Sequence, residues 1–249
     1  MENLLKTGRA IFALGNLALG ILCIYYKDFI IGRPPAWSEG SDLNPMLAYI
    51  SGGLIIISAV LILINKKAGR ASLLIAFLIL ALSVSRHLPV FINDWVNTYK
   101  AMGLMGGALI TAASFFKLKR TWNDVLIISG SILLAAFFIA AGYAHFKYAA
   151  FVDGLIPGFI PFHSFWTYFC GVCLIAGGAG ILIPFTRRWA ALLSGIMVAG
   201  WFLLLHIPRF IADTSNRSDR LGLCESFTFA GIFFILAALL DQKRSAVRA

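Results

Sequence analysis

Eight apolar runs of about twenty residues, separated by short polar turns, constrain this chain more than any other feature. A helix needs about 20 mostly apolar residues to cross a bilayer. Lipid cannot satisfy backbone polar groups, so only helices and closed barrels span it. Barrel strands alternate over about ten residues, and these runs are longer and continuous. The expected fold class is all-α: a polytopic membrane protein with eight transmembrane helices, at about 10–26, 45–64, 71–91, 99–116, 125–148, 165–183, 189–211 and 221–240. Composition agrees, with 60% hydrophobic and 13% charged residues, where a soluble domain carries about 25% charged. No connecting segment is long enough to bury its own core. The first run lacks a signal-peptide cleavage site and is expected to be retained.

The runs fall into two sets. Arg86-His87-Leu88-Pro89-Val90-Phe91-Ile92-Asn93-Asp94 returns 119 positions later as Leu205-His206-Ile207-Pro208-Arg209-Phe210-Ile211-Ala212-Asp213. The shared pattern is H-x-P-x-F-I-x-D. At the same offset Tyr49 matches Tyr168, Gly52 matches Gly171 and Ala71 matches Ala190. The reading is a duplication, with a first four-helix repeat over 1–120 and a second over 121–249. Four is even, so both repeats enter from the same side. They are expected to be parallel, unlike the inverted repeats of many transporters.

Basic residues sort the two sides. Lys6 and Arg9, then Lys66, Lys67 and Arg70, then Lys117, Lys119 and Arg120, then Arg187 and Arg188, then Lys243, Arg244 and Arg248 all fall on one side of an eight-span chain. Such residues concentrate in cytoplasmic loops, so both termini are expected to be cytoplasmic. The other side holds Asp28, Glu39, Asp42, Asp94, Asp153, Asp213, Asp219 and Glu225. The net charge of +10 then reports topology and contact with anionic membrane lipid. It does not point to nucleic acid, because no loop carries a recognition module.

The chemistry-bearing residues gather at the outer ends of the spans. His87, His145, His163 and His206 lie there, with Arg86, Arg209 and Glu225. Ionisable groups inside a span are functional candidates by default. The expectation is an outward-opening polar pocket lined by spans one, three, five, seven and eight, with Asp94 and Asp213 beside it. Pro89 and Pro208 each remove a backbone donor, so spans three and seven should kink and aim their His inward. His206 and Asp213 share a helix face but stand about 10 Å apart by helical rise. The structural alternative is that these groups only cap the span ends, each satisfied by hydrogen bonds. A haem between two His fits poorly, since no His lies deeper. The possible metal ligands are scattered without diagnostic spacing, so no metal site is expected.

Cys170-Gly171-Val172-Cys173 puts two thiols on one helix face within bridging reach, as candidate redox thiols. Packing is the alternative, because Ala176-Gly177-Gly178-Ala179-Gly180 follows and suits close helix contact. Gly103 and Gly107 read as a packing motif, and Asn16 as an interhelical hydrogen bond.

Gly142-Tyr143-Ala144-His145-Phe146, a loop with Pro157 and Pro161, Phe165-Trp166-Thr167-Tyr168 with Gly171, and Leu182-Ile183-Pro184 with Arg187-Arg188 together resemble the DoxX-like superfamily of four-helix membrane proteins. The resemblance covers about 125–240. Residues 8–116 look like a diverged copy, with Cys23 near the place of His145. The resemblance implies a bacterial inner-membrane protein. Some members are linked to thiosulfate oxidation with quinone as acceptor, and others are membrane partners of redox or detoxifying enzymes. Many carry a Glu shortly after the Gly matched by Gly171; Cys173-Leu174-Ile175 has none here. The function implied is quinone- or thiol-linked redox work, with a protein partner in a redox complex. His206, His87, Arg209 and Arg86 would act at the pocket, and His145, Glu225, Asp213 and Asp94 would bind there. His would exchange protons with a quinone oxygen, and Arg would stabilise the reduced anion. A non-catalytic scaffold and a small-solute carrier are the other readings.

Overall fold

Each apolar run forms a helix. The computed structural model describes residues 1–36, 43–116 and 120–248. Glu39, Asp42, Lys117 and Lys119 lie outside the described residues, as do the side chains of Arg120, Lys243, Arg244 and Arg248. The long helices are α1 Glu2–Tyr26, α2 Leu43–Leu63, α3 Ala68–Val90, α4 Trp95–Phe115, α5 Arg120–Lys147, α6 His163–Leu182, α7 Arg187–Ala212 and α8 Arg217–Arg248. No strand occurs among the described residues. All of these except α4 are long and apolar enough to cross a membrane, which makes seven among the described residues. At 21 residues α4 spans about 31 Å. Asn97, Lys100 and its glycines make it less apolar than the rest.

The two H-x-P helices bend in a way the prolines alone do not dictate. In α3 a π-helical turn, Leu80–Val84, precedes Pro89, and in α7 another, Phe202–His206, precedes Pro208. A π-turn inserts one residue into the helix and re-aims the residues beyond it. Past this turn α3 closes in a 3-10 turn, Leu88–Val90, whereas α7 continues as α-helix to Ala212.

The chain between α1 and α2 does not stay at the surface. Lys27 ends α1 in a left-handed conformation, φ 53°, with its N–H on the carbonyls of Cys23 and Ile24. Phe29, Ile30 and Ile31 then turn into the bundle and are fully buried. Gly32, φ 76°, sits so close to α4 that a Cβ would lie 2.8 Å from the Ala101 Cα. The segment's polar atoms are met by α3, where Arg86 donates to the Phe29 carbonyl (3.2 Å) and His87 Nε2 to the Gly32 carbonyl (3.1 Å).

Packing follows a definite order. α1 lies on α2, α2 on α3 and α3 on α4; α5 lies on α6, α6 on α7 and α7 on α8. Across the two sets α4 packs on α5, α8 on α1, and α4 on α8. The most enclosed helix is α8: 78% of its apolar window is buried, against 22% for α7. Glycines set the crossings, because backbones approach closely only where a Cβ is missing. Gly20 faces Gly52, Gly142 faces Gly171, Gly106 faces Gly130 and Gly8 faces Gly231. A Cβ on Gly106 would stand 2.6 Å from the Gly130 carbonyl. The 176–180 stretch acts similarly, with Gly178 against the Ala135 carbonyl and Gly180 against Ala190. Asn16 corrects one expectation: its Nδ2 donates to Phe12 O in its own helix, at 2.9 Å. At the far end Arg9 ties α1 to α4 through Ser114 and lies 3.8 Å over the Phe115 ring. Large apolar side chains such as Ile57, Leu193, Leu203 and Leu204 cover the outside of the bundle, a surface suited to lipid rather than water.

Candidate functional site

Where α5 and α7 end and α4 and α8 begin, the bundle encloses a cavity of about 500 Å³. Its walls are apolar, with Phe137 and Phe138 from α5, Trp201 from α7 and Phe229 from α8. Phe137 and Phe229 stack with centroids 4.8 Å apart. The short helix Ala149–Asp153 and Leu155 border the mouth, and Phe151 there is 69% exposed.

The polar part of the cavity is a charge cluster. Glu225, 3% exposed, places Oε2 at 3.2 Å from Arg33 Nε and 3.5 Å from Lys100 Nζ. Its Oε1 is buried and has no hydrogen-bond partner among the described residues. Arg33 also donates to the Ser218 carbonyl at 3.0 Å. Arg33 borders a second, smaller cavity of about 230 Å³ with Asp28 and Arg217. Arg209 binds Asp219 through Nε (2.8 Å) and Nη2 (2.7 Å), and its Nη1 holds the Leu155 carbonyl at 2.9 Å. Three cations thus face two carboxylates, and added negative charge is favoured there.

His206 lines this cavity from the end of the π-turn. Its ring lies over Gly222, where a Cβ would come within 2.9 Å of Nδ1. Among the described residues it makes no hydrogen bond, unlike His145, whose Nδ1 donates to Ala141 O at 2.8 Å. The His145 ring stacks on Trp201, centroids 6.3 Å apart.

The structure brings His206, Arg209, His145 and Glu225 together and sets the other expected residues apart. Arg86 is engaged by the 28–35 loop, binding Asp28, Phe29 O and Pro35 O. His87 is completely buried and bound to Gly32 O, with Nδ1 3.4 Å from Asp94 Oδ2. That approach is possible because α3 stops at Val90, so Asp94 folds back. Asp94 also accepts from Asn97 Nδ2 at 2.8 Å. Asp213 is exposed and accepts from the N–H and hydroxyl of Ser215, which holds its carboxyl below the usual carboxylate range. α1 and α3 do not line the cavity; α4 and α6 do, through Lys100 and Leu174. The reason is the buried 29–32 segment, which takes up the room beside α3. Cys170 and Cys173 are free thiols on α6 and do not line the cavity. No cluster of three or more His, Cys, Asp or Glu able to hold a metal ion occurs among the described residues.

Sequence reasoning does not single out Arg33, Lys100 or Asp219 as site residues. Lys100 carries a signal, as a lone cation at the start of an apolar run. Arg33 carries none, since it reads as loop. Chemically, the cavity is an aromatic-walled slot with N–H donors and one open carboxylate oxygen at its polar side. That suits a planar, largely apolar molecule with oxygen acceptors.

A protein-family model described as "Domain of unknown function (DUF8561)" matches residues 134–218. The match runs from mid-α5 to the start of α8, about a third of the chain, and includes His145, His206 and Arg209. No curated protein and no solved structure matches the chain.

Proposed function

We propose that this chain is a DoxX-like protein of the bacterial inner membrane, with eight spans in two parallel repeats, and that its cavity binds a quinone in a redox process. One observation carries the functional part: an aromatic-walled cavity of about 500 Å³ that ends on the donors of His206, Lys100 and Arg33 and on an unpartnered oxygen of Glu225. A quinone ring fits between aromatic walls, and its carbonyls accept from the cations and His206. Reduction to the quinol takes up two electrons and two protons. The electrons come from a reduced sulfur compound handled by a partner protein. Protons arrive by way of His206, with Glu225 as the adjoining proton-exchanging group. Arg33 and Arg209 favour the intermediate anionic charge.

The repeat is supported by the packing order, which maps onto itself when α1 to α4 are exchanged for α5 to α8. It is also supported by the paired π-turns and by the Gly20–Gly52 and Gly142–Gly171 crossings. Basic turns at the far end favour the cavity opening away from the cytoplasm.

The test is a native mass spectrum of the chain extracted gently from its own membrane. One bound quinone mass is expected, lost in His206→Ala. A co-purifying protein with no small molecule would instead make the chain a scaffold.

A further inference from the structure

The two repeats treat the same space differently. Aligned on their H-x-P motifs, the cavity residues Trp201 and His206 correspond to Leu82 and His87; aligned on their glycine crossings, with Gly142 on Gly20 and Gly231 on Gly106, Phe138 and Phe229 correspond to Asn16 and Leu104. In the second repeat Phe138, Trp201, His206 and Phe229 line an open cavity. In the first repeat Asn16 and Leu104 are only 2% exposed and His87 is sealed at 0%. There the chain fills the slot itself: the 29–32 segment lies buried with its Gly32 carbonyl on His87 Nε2 at 3.1 Å. In the second repeat the equivalent connection, with Phe151 and Leu155, stays at the mouth, and Arg209 holds it there by the Leu155 carbonyl. His206 is left facing the cavity with no hydrogen-bond partner among the described residues, and Glu225 beside it keeps a buried, unpartnered oxygen.

We infer that the cavity is the open counterpart of this self-filled slot, and that it takes one molecule doing what the 29–32 segment does: laying an apolar body along α5, α7 and α8 and giving a carbonyl oxygen to His206. The inference rests on the repeat reading and sharpens the quinone reading. It fixes the stoichiometry at one per chain, because the other slot is occupied by backbone. It also assigns the recognition element, a carbonyl acceptor on an apolar skeleton. A carbonyl has no hydrogen to give, so the His nitrogen that meets it must donate. His87 is bound to that role by Gly32 O. His206 has no partner among the described residues that fixes its tautomer. Its ring can donate to a carbonyl or accept from a hydroxyl, and so can hold a ketone-level molecule and its reduced alcohol in turn.

The experiment is calorimetric titration of the purified full chain in quinone-free lipid nanodiscs with three short-tailed probes. These are a benzoquinone, a cyclic ketone with the same tail, and the hydrocarbon lacking oxygen. Quinone and ketone are expected to bind at one per chain, and the hydrocarbon at least tenfold more weakly. His206→Ala should weaken the first two about tenfold or more. His206→Gln, which keeps an N–H donor, should retain most of the affinity, and His87→Gln should lower thermal stability without changing it. Ketone binding without quinone binding would keep the carbonyl inference and discard the quinone function. Quinone binding matched by the hydrocarbon would keep the pocket and overturn the inference. Two equivalents per chain, or no effect of His206→Ala, would also overturn it.

Discussion

Glu225 faces two cations with a single oxygen. Arg33 and Lys100 both reach Oε2, in a setting where only 4% of the carboxylate side chain is exposed. Desolvating such charges is costly, and removing one partner of a buried pair typically costs about 3–5 kcal/mol, because the remaining charge is left uncompensated. Glu225→Ala is therefore expected to be the most destabilising single change at the cavity, as a drop in thermal unfolding temperature in detergent. Arg33→Ala should cost less, since Lys100 still faces the carboxylate. The double variant should cost clearly less than the sum of the two, as coupled neighbours do. Strict additivity would mean the two groups do not interact. Part of this cluster was legible in the sequence. Glu225 stands out as a charge inside one apolar run, and Lys100 as a charge near the start of another. Arg33 does not, because its partner lies 192 positions away. The positive φ of Gly32 and of Arg33 itself, 76° and 56°, and the burial of the residues before them carry the guanidinium there.

Loops and turns position the groups that the helices offer. The mouth of the cavity is framed by the connection from Tyr148 to Phe162, whose short helix Ala149–Asp153 is fastened to α6 by Ser164 Oγ donating to Asp153 Oδ2 at 2.6 Å. That hydrogen bond, first among its causes, holds the Asp153 carboxyl below its ordinary value. A folded-state pKa below the unfolded value near ~3.9 means the fastening is present above the unfolded pKa and is lost as pH falls through the folded one. Limited proteolysis of this loop by an acid-tolerant protease should therefore rise only at a pH below ordinary carboxylate titration. In Ser164→Ala the rise should move to higher pH; an unchanged profile would show that the bond does not hold the loop. At this scale the helices were readable, most ends lying within five residues of the apolar runs, although α1 begins eight residues earlier, at Glu2, and α8 continues eight further, to Arg248. The kinks were readable as prolines but not as π-turns, since a π-turn is stabilised by the surroundings of the helix. The inward course of 29–32 was not readable either, because a short apolar run between polar residues has no helical or strand period to place it.

Across the whole molecule the two central helices differ in composition. Beyond its buried Glu225, Ser226 and Thr228, α8 is apolar from Phe229 to Leu240, while α4 is glycine-rich and falls short of the apolarity of the others. Yet they occupy matching places: each packs on the helix before it, on the first helix of the other set, and on its counterpart. A helix so enclosed meets little lipid, so its hydropathy understates its capacity to span, and Thr98, Thr111 and the glycines of α4 are buried against protein. Counting α4 as a span gives eight crossings, and the two ends of the chain then lie on one side. Counting seven puts them on opposite sides and divides the basic turns between both faces of the membrane, against their usual confinement to one. Single cysteines placed next to Met1 and near residue 245, in a background where Cys23, Cys170, Cys173 and Cys224 are replaced by Ser, can be probed in intact cells with a membrane-impermeant maleimide. Both are expected to stay unlabelled until the membrane is opened, and a cysteine at Ser215, in the turn before α8, to react from outside. Labelling of one terminal cysteine but not the other would remove α4 from the set of spans, and with it the exchange of α1 to α4 for α5 to α8 on which the paired slots depend.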